Sequence, residues 1–153
     1  MYMYIKDLTK LPTLMNSLLD GESDEIALLA NASALIFDSV PNINWAGFYF
    51  VKGDELVLGP FQGKPACVRL RRGKGVCWAA VLKGETVTVR DVHEFEGHIA
   101  CDSASRSEIV VPLKKGGEIF AVLDIDSPLV NRFEEIEDVV EKTAEEIESA
   151  LNK

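Results

Sequence analysis

The chain has 153 residues, 47% of them hydrophobic, which is enough to bury an ordinary core and to fold as one domain over residues 1–153. Its 25 acidic and 16 basic residues give a formal net charge of −9, which disfavours nucleic acid and anionic membranes as partners. We expect a cytoplasmic protein with reduced thiols, because there is no leader, no apolar run of the roughly 20 residues that span a bilayer, and no paired set among the three cysteines.

The first forty residues predict two helices. Residues 7–20 are mildly helical in composition and end at Gly21. Ser23 or Asp24 then caps a second helix, which Pro41 ends. Helical spacing predicts a buried stripe on this second helix, formed by Ile26, Leu29, Ser33, Ile36, Phe37 and Val40.

Two strands follow, at residues 44–51 and 55–58, joined by a turn at 52–54. Alternation along the first strand places Trp45, Gly47, Tyr49 and Val51 on one face and Ala46, Phe48 and Phe50 on the other. Both faces are apolar, so both have to be covered. We expect helices on one face and a lidded pocket on the other.

The second half predicts further strands between two helices. Residues 59–75 form a loop rich in glycine, proline and basic residues, 75–82 a short helix stopped by Gly84, and 85–92 a strand. Apolar runs at 108–113 and 118–123 flank a glycine turn and predict an antiparallel hairpin. The terminal helix carries an apolar stripe of Phe133, Ile136, Val140, Ile147 and Leu151. This order predicts an α+β fold, with one antiparallel sheet, helices on one face and loops over a site on the other.

The three cysteines differ in their surroundings. Cys101 lies in a polar loop before the hairpin and is a candidate nucleophile, although a buried apolar role is the commoner one for a lone thiol. Cys67 lies in the glycine-rich loop. The two loop thiols either interconvert between dithiol and disulfide during turnover or are unrelated. Cys77 lies in a predicted apolar helix, which indicates that it packs in the core. Zinc bound by the cysteines with His93 and His98 is a weaker alternative, because the spacing has no close cysteine pair.

Three carboxylates are expected to converge on the hairpin. Asp124 and Asp126 are two residues apart on a strand and therefore share a face, and Glu108 lies on the neighbouring strand. Such a group favours an amine ligand and raises the pKa of one acid enough for it to donate a proton. Alternatively Asp126 simply opens a turn, which leaves Asp124 unexplained. Trp45 and Tyr49 fit either core or pocket wall.

Several segments together resemble one known family. The hairpin SEIVVPLKKGGEIFAVLDIDS resembles that of a GAF domain, and NWAGFYF, LGPFQGKPACVRL, GKGVCWAA, GHIACDSASRSEIVVPL and LDIDS resemble free methionine-R-sulfoxide reductases. The resemblance runs from about residue 42 to 133 and includes all three cysteines. It implies a single GAF-like domain over residues 1–153, with a six-stranded antiparallel sheet flanked by helices and loops covering a pocket.

The resemblance also implies an activity, the reduction of free L-methionine-(R)-sulfoxide to L-methionine. Cys101 would be the attacking thiol, Cys67 the resolving thiol, and Cys77 a third thiol with a secondary or structural role. The acids Glu108, Asp124 and Asp126 would bind the substrate's amino group, with Asp126 or Glu108 donating a proton, while its methyl-sulfinyl end would be flanked by Trp45 and Tyr49.

The partners implied are few. Thioredoxin would reduce the disulfide formed in each turnover, no metal or organic cofactor would be needed, and the chain would be a monomer or a homodimer. The alternative is a non-catalytic GAF module that binds a small ligand or senses redox state.

Overall fold

The computed structural model describes residues 7–97 and 104–153, which form an antiparallel sheet with helices on both faces. The helices are α1 (Leu11–Leu19), α2 (Glu25–Ser39), α3 (Gly75–Lys83) and α4 (Glu137–Leu151). The strands are β1 (Trp45–Lys52), β2 (Glu55–Gly63), β3 (Arg69–Arg71), β4 (Val87–Val89), β5 (Ser107–Lys115) and β6 (Glu118–Ser127). Their order in the six-stranded sheet is β3-β2-β1-β6-β5-β4. The predicted α+β class and the six-stranded sheet are confirmed.

Strand β1 separates the two sides of the molecule, as its alternation predicted. Ala46 and Phe48 are fully buried in a core that the sheet shares with α1, α2 and α4. Trp45 and Tyr49 lie on the opposite face, in a second apolar cluster that includes residues of α3. One face of the sheet therefore supplies the main core. On the other face, where loops were expected, the described residues place helix α3 as well.

Helix α2 begins as predicted, and four of the six residues of its predicted stripe are buried. The Asp24 carboxylate accepts a hydrogen bond from the backbone N–H of Ala27 at 2.9 Å and caps the helix. The predicted stripe is wrong at Ile26 and Phe37, which are 56% and 37% exposed. The buried face includes Leu28, Leu29, Ala32, Ser33 and Ile36. It is turned away from Ile26 because α2 contacts α1 and α4 as well as the sheet.

Strand lengths are the other departure from the predictions. Strand β2 continues past its predicted end to Gly63, and β3 pairs with it inside the segment that was expected to be a loop. Strand β2 continues through Gly59 and Pro60 because it pairs with β1. Glycine and proline are typical of turns, so the sequence carried no indication of a strand at these positions. This pairing requires Gly47, since a Cβ there would lie 2.3 Å from the Cβ of Phe61. Strand β4 is shorter than predicted, at Val87–Val89.

The remaining elements follow the predictions closely. Gly84 ends α3 in the left-handed conformation, with φ of 69°. All five residues of the predicted terminal stripe are buried: Phe133, Ile136, Val140, Ile147 and Leu151. Within residues 7–97 and 104–153, no helix combines the length and the apolar composition that crossing a membrane requires.

We expect the core between the sheet and helices α1, α2 and α4 to contribute most of the free energy of unfolding. Phe48→Ala should lower the free energy of unfolding by about 3 to 5 kcal/mol, because it leaves a cavity between the sheet and α2. Phe37→Ala makes the same chemical change at a side chain that is 37% exposed and should cost roughly 1 kcal/mol or less. Urea unfolding of both variants measures the difference, and equal losses would contradict this assignment of the core.

Candidate functional site

A cleft lies on the α3 side of the sheet, over the neighbouring strands β1, β6 and β5. Strand β6 runs between β1 and β5, so that Asp126 pairs with Trp45 on one side and with Glu108 on the other. Asp124, two residues earlier, shares the face of Asp126. The cleft encloses about 600 Å³, part of it open to solvent, and is lined by Trp45, Tyr49, Lys64, Pro65, Ala66, Leu70, Gly75, Val76, Cys77, Ser105, Glu108, Asp124 and Asp126.

Two of the three acids in the cleft are almost fully buried. Glu108 and Asp124 are 7% and 5% exposed, and neither forms an ion pair with a lysine or arginine of the described residues. Asp124 Oδ1 has no hydrogen-bond partner there. Burial raises the pKa of both carboxyls, and the charges of Asp124 and Asp126 raise that of Glu108 further. The structure brings the three acids together as expected, and the exposed Lys64 is the basic residue among the described residues that line the cleft.

Cys77 belongs to this acidic group. It is buried, at 4% exposed, and is a free thiol. Core packing describes only part of its surroundings, because it also lines the cleft, and its Sγ and single oxygens of Glu108 and Asp124 all lie within 4.8 Å of one another. Burial, followed by the charges of the nearby carboxylates, raises the pKa of the thiol. The raised pKa keeps the Cys77 thiol protonated.

The loop from Lys64 to Val68 is held against β1 by the two predicted aromatic residues. Tyr49 donates from its hydroxyl to the carbonyl of Cys67 at 2.8 Å, and Trp45 donates from Nε1 to the carbonyl of Lys64 at 3.2 Å. Their rings stack at a centroid distance of 5.9 Å. Burial raises the pKa of Tyr49, so its hydroxyl remains a donor. The residue pattern left core and pocket wall open for Trp45 and Tyr49, the family resemblance implied the wall, and neither indicated this second role.

The structure describes one of the two predicted redox thiols, Cys67. Cys67 is half-buried and disulfide-bonded. Cys101 lies outside the described residues, as does His98. His93 is exposed and does not line the cleft.

One polar contact at the rim had no signal in the sequence. Asn44 donates from its side chain to Ser105 Oγ at 3.1 Å and from its backbone N–H to the carbonyl of Asp126 at 2.9 Å. Ser105 is buried and lines the cleft. These bonds tie the start of β1 to the end of β6 and to the segment that leads into β5. An asparagine and a serine sixty residues apart carry no pattern that predicts such a contact.

Comparison with known proteins shows the same fold and related sequences. Residues 28–152 match the family model described as GAF domain. A free methionine-R-sulfoxide reductase of Escherichia coli is 55% identical over 77% of this chain and 72% of its own length. The reduced form of the Staphylococcus aureus enzyme superposes with a TM-score of 0.91 at 47% identity over 99% of both chains. The Neisseria meningitidis enzyme, in complex with its substrate, gives 0.91 at 39% identity over 99% of this chain and 94% of its own.

The buried acids predict an unusual dependence of stability on pH. Burial raises the pKa of Glu108 in the folded protein above its ordinary value of 4.5. At a pH between these two pKa values, the folded protein keeps a proton on Glu108 that the unfolded chain releases. The stability of the ligand-free protein should therefore fall as the pH rises from about 4.5 through the raised pKa. Glu108→Gln keeps a neutral side chain in place and should stabilise the protein at neutral pH and flatten this dependence.

The exposed Glu118, at the start of β6, provides the matched control. Glu118→Gln should leave the pH profile of the melting temperature unchanged. Melting curves of both variants and the wild type from pH 4 to 8 make the comparison. If the wild type instead gains stability over this range and Glu108→Gln removes the gain, Glu108 is not a buried acid without a compensating charge.

Proposed function

The chain belongs to the free methionine-R-sulfoxide reductases, enzymes of the GAF domain family, and on this premise we propose that its cleft binds and reduces free L-methionine-(R)-sulfoxide. The observation that carries the proposal is the burial of Glu108 and Asp124, neither of which forms an ion pair with a lysine or arginine of the described residues. A free amino acid supplies the missing charge as its ammonium group. The wall of Trp45 and Tyr49 offers an apolar surface for the methyl-sulfinyl end.

Recognition of the ammonium group explains a preference for the free amino acid. An ionised carboxylate that is buried without a partner costs a few kcal/mol, and a ligand ammonium removes that cost through charge-assisted hydrogen bonds. A methionine within a peptide has a neutral amide at this position. It would leave the buried Glu108 and Asp124 without a cation to offset their charge, and a site built for a hydrogen-bonded group rejects an analogue that lacks it.

The reaction begins at Cys101. Its thiolate attacks the sulfur of the sulfoxide while Glu108 or Asp126 donates a proton to the departing oxygen. The hydroxyl formed in this way then passes to the Cys101 sulfur as the new sulfur–sulfur bond breaks and its electron pair returns to the methionine sulfur, so that methionine leaves and Cys101 becomes a sulfenic acid. The raised pKa of Glu108 supports the role of proton donor, because it keeps the carboxyl protonated at a pH where an ordinary glutamate is ionised.

Cys67 completes the turnover. Its thiol condenses with the sulfenic acid of Cys101, a disulfide forms and water is released. Thioredoxin, a dithiol reductant of the cytoplasm, then returns both cysteines to thiols, and none of these steps requires a metal or organic cofactor. The disulfide-bonded state of Cys67 and the free state of Cys77 support this choice of resolving thiol.

The choice of substrate is tested by offering related sulfoxides to the thioredoxin-coupled protein. The R epimer of free methionine sulfoxide should be consumed, the S epimer should remain, and the N-acetylated R epimer should react far more slowly because it has no ammonium group. Chiral chromatography of the residual sulfoxide measures all three. Equal rates for the free and acetylated forms would remove the carboxylates from amine recognition, and no consumption of the R epimer would favour a redox-sensing or ligand-binding module.

The cysteine roles are separated by single-turnover experiments. Cys101→Ser should release no methionine, since the attacking sulfur is gone. Cys67→Ser should release about one equivalent per chain and then stall with thioredoxin, because the sulfenic acid has no resolving partner. Quenched-flow analysis of released methionine makes the measurement. Normal cycling by either variant would show that the thiols are wrongly assigned.

A further inference from the structure

We propose that Cys77, Glu108 and Asp124 form a second kind of binding site in the cleft, one for a divalent transition cation of which Zn²⁺ is the representative. The steps proposed above assign no metal to these residues and leave the free thiol of Cys77 unused. The site lies on rigid elements, with Cys77 in the first turn of α3 and the two acids on the central strands β5 and β6.

The donor set favours a borderline or soft cation. One sulfur and two carboxylate oxygens lie within 4.8 Å of one another. Zinc binds sulfur at about 2.3 Å and carboxylate oxygen at about 2.0 to 2.2 Å, so small rotations of these side chains bring all three donors to one ion. Mg²⁺ and Ca²⁺ prefer oxygen ligands alone, whereas a thiolate selects ions such as Zn²⁺ and Co²⁺.

The unsatisfied oxygen of Asp124 points independently to a ligand. Asp124 is 5% exposed, lines the cleft, and its Oδ1 has no hydrogen-bond partner in the described chain. A buried acceptor of this kind is costly unless a donor or a cation meets it. A divalent ion would satisfy this oxygen and offset the charge of both buried acids, while the open side of the cleft leaves a fourth position for water.

The cation and the amino acid would exclude each other. Glu108 and Asp124 cannot hold an ammonium group and coordinate a metal with the same oxygens, so the ion would act as a competitive inhibitor. This competition rests on the proposed function, whereas the metal site does not. Because Cys77 is free while Cys67 is disulfide-bonded, the site is present in the oxidised protein.

The experiment uses Co²⁺ as a spectroscopic probe of the oxidised protein, after treatment with chelator and without any thiol reductant. Titration should give one equivalent of bound Co²⁺ with a thiolate-to-metal charge-transfer absorption, and Zn²⁺ should displace it. Cys77→Ser should abolish the absorption and weaken binding at least about tenfold, the smallest effect expected when a direct ligand is lost. Asp124→Asn should weaken binding with the charge-transfer absorption retained at saturation. Glu118→Gln, outside the cleft, should bind as the wild type does.

The outcomes separate the two proposals. No charge-transfer absorption in folded wild-type protein, or an absorption that survives Cys77→Ser, would overturn the metal site. A Co²⁺ affinity that free methionine does not lower would overturn the competition. Failure of the proposed function would appear separately, as no consumption of the R sulfoxide by chelator-treated, thioredoxin-coupled protein. Circular dichroism of each variant establishes that a loss of binding is not a loss of fold.

Discussion

The burial of Glu108 and Asp124, with no ion pair to either from residues 7–97 and 104–153, is the constraint on which the site depends. Both acids are held on the central strands of the sheet, where they cannot turn toward water without breaking the pairing of β5 and β6. Their charge therefore has to be neutralised by protons or by a ligand. The same feature raises the pKa of Glu108, favours an ammonium group, and presents oxygen donors to a metal ion.

The two-sided sheet explains how the fold tolerates such a site. The face covered by α1, α2 and α4 has a mainly apolar core, with Phe48 and Phe133 fully enclosed. The face covered by α3 gives up part of its apolar packing to the acids and the cleft. Because side chains alternate along a strand, neighbouring residues of β1 serve the two faces separately: Phe48 belongs to the core, and Tyr49 to the cleft.

The aromatic residues Trp45 and Tyr49 connect the cleft with the loop that carries Cys67. Tyr49 lines the cleft with its ring and holds the carbonyl of Cys67 with its hydroxyl, while Trp45 holds the carbonyl of Lys64 in the same loop. A ligand that presses on this wall therefore also touches the anchors of the loop that carries Cys67. The same two hydrogen bonds therefore hold the backbone beside Cys67 and fix the orientation of two rings that line the pocket.

Local patterns in the sequence determined the elements, the two faces of β1 and the convergence of Asp124 with Asp126, because alternation and helical spacing are properties of neighbouring residues. The resemblance of its motifs placed the family, and the role of Cys101 stays a prediction. Only the tertiary structure decided which face of α2 is buried, how far β2 extends, and that Cys77 meets Asp124. Each of these depends on which distant element packs against which, and spacing along the chain carries no information about partners that meet only when the sheet and its helices come together.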